Sequence, residues 1–370
     1  MLLNRPPFVV ISLLTLTACA NLLSCEEFIF PITATARNRA VRESAGGLAE
    51  SAPTHRTQGP QQPEYVNVTA EVGISLRYCK PPTLIPSRES TIQLLVHGIT
   101  YNKNYWSALR PPAALPSPMD RYSWVRYAAE HGYATISIDR MGNGLSSRPD
   151  PYTVDQLAMH VSIIHKLVRA LRTGTLLGRP FAKVVYVGHS FGSVIGYNLV
   201  AIHPETVDAL FLTGFSIPDI STSYLVPVSR LTLGKYSGLS DGYLVSSSPA
   251  GRRASFFGSN GTFDPEIARM DFEMQDTVAA GEFLVGNTAP PVNYAGPVAV
   301  MVGDQDVAKC MAGFCGNESH FQPAVVRQQF RRASNFSYYV LQHVGHAINL
   351  HYAAPQAYRV ACEWLQLHGF

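Results

Sequence analysis

The sequence predicts an α/β protein with a mostly parallel central sheet, helices on both of its faces and an inserted cap. Three observations carry this reading. Short continuous apolar runs at Ile92–Val96, Lys183–Val187 and Val298–Val302 have the length and β-branched content of strands buried on both faces. Segments with apolar residues at helical spacing lie between such runs, as right-handed crossovers between parallel strands require. The alternation then stops over residues 215–296, a stretch too long for an ordinary connection.

Taken in order, the chain opens with Arg5, an apolar run at Phe8–Leu16 and the small-residue site Ala18-Cys19-Ala20. This is the pattern of a signal peptide over residues 1–20, with a mature start near Asn21. Leu16–Cys19 also looks like a lipobox, which gives a lipid-tethered chain as the lesser reading. Residues 21–64 read as an N-terminal arm, because Arg37–Pro63 is rich in Ala, Gly, Pro, Ser, Gln and Arg. The first part of the core, 65–214, begins with Val66–Thr69 and Ile74–Tyr78 as an opening hairpin. Strands follow at Ile92–Val96, Ala134–Ile138, Lys183–Val187 and Ala209–Leu212, with helices at Tyr122–Glu130, Val154–Arg172 and Gly192–Ile202. Residues 215–296 form the cap, whose Phe215, Tyr224, Leu225, Val226 and Tyr236 suit an apolar or aromatic ligand. The second part of the core, 297–370, adds a strand at Val298–Val302, a helix at Ala324–Arg332, a strand at Tyr338–Leu341 and a last helix at Leu350–Leu367.

Composition narrows the function. Only 15% of the 370 residues are charged and the net charge is +3, which excludes a nucleic-acid partner. Phe8–Leu23 is shorter than a membrane span and carries polar residues, and no later segment is long and apolar enough, so no transmembrane segment is expected. Secretion permits disulfides. Cys310 and Cys315 would close a short loop, Cys25 and Cys79 would tie the arm to the body, and Cys362 is left as a buried inert thiol. Asn67, Asn260, Asn317 and Asn335 head Asn-X-Ser/Thr sequons, the candidate glycosylation sites. His160 and His165 lie about a helical turn apart without a third ligand in view, so neither a metal nor a cofactor is expected.

The chemistry centres on Gly188-His189-Ser190-Phe191-Gly192, a G-x-S-x-G between a β-branched strand and a helix. Small residues on either side of Ser190 let strand and helix close around a sharp turn that presents its hydroxyl. A serine hydroxyl needs a base, and His346 follows the last predicted strand. The base needs an orienting carboxylate. Asp306, a few residues beyond Val298–Val302, is favoured over Asp304, with Asp139 a minor alternative. The oxyanion donors expected are the amides of Phe191 and of Ile99 in the loop His97-Gly98-Ile99. Gly98, Tyr101 and Trp106 in and after that loop are candidates for the substrate pocket; the aromatic pair would otherwise cover the sheet edge. His97 and His189 are read as packing and hydrogen-bonding residues. Gly142 and Gly144 do not complete a dinucleotide loop, since Ser147 holds the third position.

Together with Asp139–Ser146 and Gly345-His346, these segments resemble the α/β-hydrolase superfamily of the AB hydrolase-1 type from about Gln93 to the C-terminus. His97–Trp106 and Tyr78–Pro81 look most like its secreted fungal serine hydrolases. The resemblance implies the α/β-hydrolase fold and a triad of Ser190, Asp306 and His346; it does not imply a substrate. Members with Asp at the elbow, the epoxide hydrolases and haloalkane dehalogenases, are disfavoured by Ser190. The expected function is a secreted serine hydrolase that cleaves a small apolar or aromatic carboxylic ester through an acyl-enzyme, without a cofactor. Thioester, lactone or C–C bond hydrolysis, or ligand binding without catalysis, are the runners-up.

Overall fold

A computed structural model describes residues 22–41, 63–216, 225–231, 234–284, 292–307 and 322–370. In chain order the strands are β1 (Ser24–Arg39), β2 (Tyr65–Lys80), β3 (Thr91–Val96), β4 (Ala134–Ile138), β5 (Lys183–His189), β6 (Ala209–Thr213), β7 (Leu225–Pro227), β8 (Tyr243–Ser246), β9 (Val278–Ala279), β10 (Val298–Gly303) and β11 (Phe336–Leu341). The helices are α1 (Trp124–Glu130), α2 (Leu157–Thr173), α3 (Phe191–Ile202), α4 (Pro249–Phe256), α5 (Pro265–Glu273), α6 (Gln322–Gln329) and α7 (Ala354–Leu367).

Eight strands form one sheet in the order β1-β2-β4-β3-β5-β6-β10-β11. The six from β4 to β11 run parallel, while β2 is antiparallel to both β1 and β4. The continuous apolar runs are explained by two covers. Val184 and Tyr186 of β5 and Val298, Val300 and Val302 of β10 pack with α2 and α3. Val185 and Val187, and Ala299 and Met301, pack on the other side with α1 and α7. Both faces of β5 and β10 are thus covered, which accounts for their continuous apolar runs.

Two expectations fail at the N-terminal side. Residues 24–39 are not part of a surface arm; they form the edge strand β1, paired with β2 from Ser24↔Lys80 to Arg39↔Tyr65. Ile32, Ala34, Ala36 and Asn38 alternate inward. The inward side chains are small because α2 lies close over the strand, and small residues resemble linker composition. The opening hairpin is likewise one uninterrupted strand of 16 residues, β2. Gly73 does not turn the chain; a Cβ there would come within 2.8 Å of Ile29 Cγ2, so glycine answers a close approach. Cys25 and Cys79 face each other across β1 and β2 and form a disulfide. Cys310, Cys315 and Asn317 lie outside the described residues. Cys362 is buried as a free thiol, and burial pushes its pKa up.

After β6 the chain leaves the sheet. β7, β8 and β9 form a small antiparallel sheet that, with α4 and α5, packs on the loops at the carboxyl ends of the parallel strands. Thr100 N–H donates to Thr277 O, Asp276 N–H to Thr100 O, and Ala347 N–H to Phe256 O. Among the described residues no helix is long and apolar enough to cross a membrane.

Candidate active site

The neighbouring strands β3 and β5 are where the strand order reverses, and the loops after them open side by side. Ser190 stands between β5 and α3 with φ 53° and ψ −117°. Its N–H donates to Thr213 O at 2.9 Å, which ties the turn to the end of β6. The turn closes only because of its glycines. A Cβ on Gly192 would lie 2.1 Å from Val96 O.

His346 follows β11, and its Nδ1 lies 2.8 Å from Asp306 Oδ2, with both side chains buried. Asp304 faces elsewhere: its Oδ1 accepts from Val344 N–H at 3.0 Å and so braces the loop that carries His346. Asp139 is excluded as the orienting acid by its partners. It accepts from Lys103 N–H and Leu145 N–H and pairs with Lys103 Nζ at 2.7 Å.

His346 and His189, the residue before Ser190, come together around Gly214. A Cβ on Gly214 would lie 2.9 Å from His346 Cε1 and 3.3 Å from His189 Cε1, and the two imidazole rings are 5.0 Å apart. Ser190 Oγ and His346 Nε2 are buried, and neither has a hydrogen-bond partner among the described residues. Gly98 lies directly against the serine, since a Cβ there would be 2.7 Å from Ser190 Cβ. Ile99, next along that loop, and Phe191, the first residue of α3, are both nearly buried.

Around this centre is an aromatic wall. Phe256, at the end of α4, stacks over His346 with ring centroids 5.7 Å apart. Tyr101 lies 5.7 Å from Phe256 and 6.1 Å from His189. Arg252 sits 4.8 Å from both the Tyr101 and Phe256 rings, donates to Thr100 Oγ1 and pairs with Asp271. Trp106 does not belong to the wall. It is fully buried, edge-on to Trp124, with Tyr105 stacked between it and His189. Phe256 and Arg252 are the residues that sequence reasoning missed. Ser248 followed by Pro249 was a legible helix start, but nothing in the sequence aims α4 at His346.

Behind Phe191 is a buried charged group. Arg140 donates to Glu282 Oε2 at 2.6 Å and lies over the Phe191 ring, while Asp155 Oδ1 sits 2.8 Å from His160 Nε2. Burial drives the Asp155 carboxyl up to about 8 and, aided by Arg140, the His160 imidazole down to about 3. The ligand atoms of Asp155, His160 and Glu282 lie within 4.8 Å of one another. His160 thus has two carboxylate neighbours that spacing from His165 did not reveal; His165 instead stacks on His203.

Residues 93–359 match the model of a family described as "Alpha/beta hydrolase family". The chain belongs to the alpha/beta hydrolase family. As a member, it is 30% identical over 109 residues to epoxide hydrolase A of Mycobacterium tuberculosis, covering 29% of this chain and 31% of that protein. It is 32% identical over 83 residues to 2-hydroxy-6-oxo-6-(2'-aminophenyl)hexa-2,4-dienoic acid hydrolase of Metapseudomonas resinovorans, covering 22% and 25%. The matches span about a third or less of these curated relatives. A thermophilic esterase from Thermogutta terrifontis superposes with a TM-score of 0.55 at 16% identity, covering 81% of this chain and 95% of that one, which shows a shared fold.

Proposed function

We propose that this alpha/beta hydrolase is a serine hydrolase that cleaves a carboxylic ester through an acyl-enzyme. The observation that carries the reading is the buried Asp306–His346 pair at 2.8 Å, whose imidazole lies 5.0 Å from the ring of His189, the residue before an elbow serine whose Oγ, like His346 Nε2, has no hydrogen-bond partner among the described residues. Ser190 Oγ attacks the ester carbonyl carbon while His346 Nε2 takes its proton. Asp306 holds the other ring nitrogen and stabilises the imidazolium. The carbonyl oxygen, now an anion, is met by the amides of Ile99 and Phe191, each worth on the order of 10²–10³ in rate. Collapse breaks the bond to the alcohol, which leaves with the proton from His346. Water then attacks the acyl-enzyme with His346 as base, releasing the acid and restoring Ser190.

Tyr101 and Phe256, packed against His189 and His346, support a small apolar or aromatic substrate. The epoxide hydrolase relative does not transfer its reaction to this chain, because the elbow position here is Ser190. A secretory route is supported by the Cys25–Cys79 disulfide and by the exposed sequon residues Asn67, Asn260 and Asn335.

The test is labelling by a fluorophosphonate probe together with p-nitrophenyl ester turnover. Wild type is expected to be labelled at Ser190 and to turn over. Ser190→Ala is expected to do neither while melting near the wild-type temperature. Folded wild-type protein that takes no label would favour ligand binding without catalysis.

A further inference from the structure

Arg140 lies outside the proposed triad, yet it touches Phe191 and the Gly98 carbonyl, whose peptide carries the Ile99 N–H. Its guanidinium is fully buried. Nη1 donates to Glu282 Oε2 at 2.6 Å, and Nη2 reaches Gly98 O at 3.4 Å. The guanidinium carbon stands 4.9 Å from the centre of the Phe191 ring. The Arg140 backbone N–H also donates to His97 Nε2 at 3.0 Å. An imidazole nitrogen that accepts carries no proton, so His97 Nδ1 holds it and donates to Gly98 O at 2.8 Å.

The Gly98 carbonyl therefore receives two donors, one from His97 and one from Arg140. In a trans peptide the C=O and the following N–H point in opposite directions. Fixing Gly98 O toward Arg140 aims the Ile99 N–H the other way, and Gly98 already lies against Ser190 Cβ on this loop. On its second side the same guanidinium supports Phe191, whose amide is the other donor.

The group that holds Arg140 could be read as a cation site, since Asp155, His160 and Glu282 converge. Arg140 Nη1, however, already supplies positive charge at Glu282 and lies 3.4 Å from His160 Nε2, so a divalent ion would meet a guanidinium at contact distance. The cluster is better matched to anchoring the arginine. Glu282 follows β9 in the returning segment of the cap, so the anchor belongs to the cap and its target to the core.

The geometry points to Arg140 as a positioning residue that sets both donors of the oxyanion hole, with Glu282 as its anchor; this rests on the serine-hydrolase reading above. Two variants test it in the full chain. Arg140→Met with Glu282→Met removes the pair together, which avoids leaving a lone buried charge. Arg140→Lys keeps a cation for Glu282 but loses the planar fork.

For either folded variant, kcat on a p-nitrophenyl ester is expected to fall about tenfold or more, with KM held within about twofold. The affinity for a boronic acid that forms a tetrahedral adduct on Ser190 is expected to fall by the same factor as kcat/KM. A folded variant with wild-type kcat, or a loss confined to KM with boronic acid affinity unchanged, overturns the inference. If wild type itself neither turns over ester nor takes the fluorophosphonate label, the serine-hydrolase reading fails and this inference fails with it.

Discussion

Asp304 and Asp306 stand two positions apart, and their oxygens face different partners. Asp306 meets the imidazole of His346, while Asp304 accepts a loop amide that asparagine could also satisfy. Asp306→Asn is therefore expected to cost on the order of 10⁴ in kcat on a p-nitrophenyl ester, and Asp304→Asn less than about tenfold. Steady-state kinetics on the two variants would check this, and the reverse order would move the orienting role to Asp304. Gly98→Ala drives a methyl group into Ser190 and should abolish turnover in a protein that still folds, read by the same assay beside a thermal melt. Much of the candidate site was readable in the sequence, because a turn that tight admits few residue types and the acid and base each follow an apolar run. Trp106 misled because its neighbour Tyr105 fills the space beside His189. Burial order within a loop of consecutive aromatics depends on which face the backbone presents, and composition does not encode that.

At the scale of elements, the central strands and their helices could be read because both faces are covered and apolar content is high throughout. β1 could not. Its inward residues include Ala34, Ala36 and Asn38, and the pattern of small residues that lets α2 approach is also the pattern of a linker. The expected Cys25–Cys79 bridge is nevertheless present, and it fastens β1 to β2 at their paired ends. The bridge closes a loop with a sequence separation of 54. Replacing both cysteines by serine is expected to lower unfolding free energy by about 2–4 kcal/mol. Urea denaturation of the two proteins would measure it, and an unchanged midpoint would show that the β1–β2 pairing holds without the bridge.

The buried pair behind Phe191 makes the stability of the whole molecule depend on pH. Asp155 is raised to about 8 and His160 lowered to about 3. Between the ordinary imidazole value and about 8, the folded protein holds a proton on Asp155 that the unfolded chain has lost. Stability should therefore fall as pH rises through that window, by up to about 1.4 kcal/mol per pH unit. At lower pH, down to the ordinary carboxyl value, the Asp155 gain and the His160 deficit offset each other, and this pair's own contribution should flatten. Chemical denaturation at pH 6.5 and pH 8 is the measurement, and Asp155→Asn should remove the slope. The cap enters the same ledger, because Glu282 and Phe256 both come from it and touch the core at Arg140 and His346. Ser190, finally, holds a φ of 53° that L-residues rarely adopt and glycine adopts freely. A molecule selected only for thermal endurance would discard the hydroxyl. Ser190→Gly should melt above both the parent and the alanine variant, so the heat resistance forgone at this one turn measures what evolution surrendered to keep a reactive oxygen there.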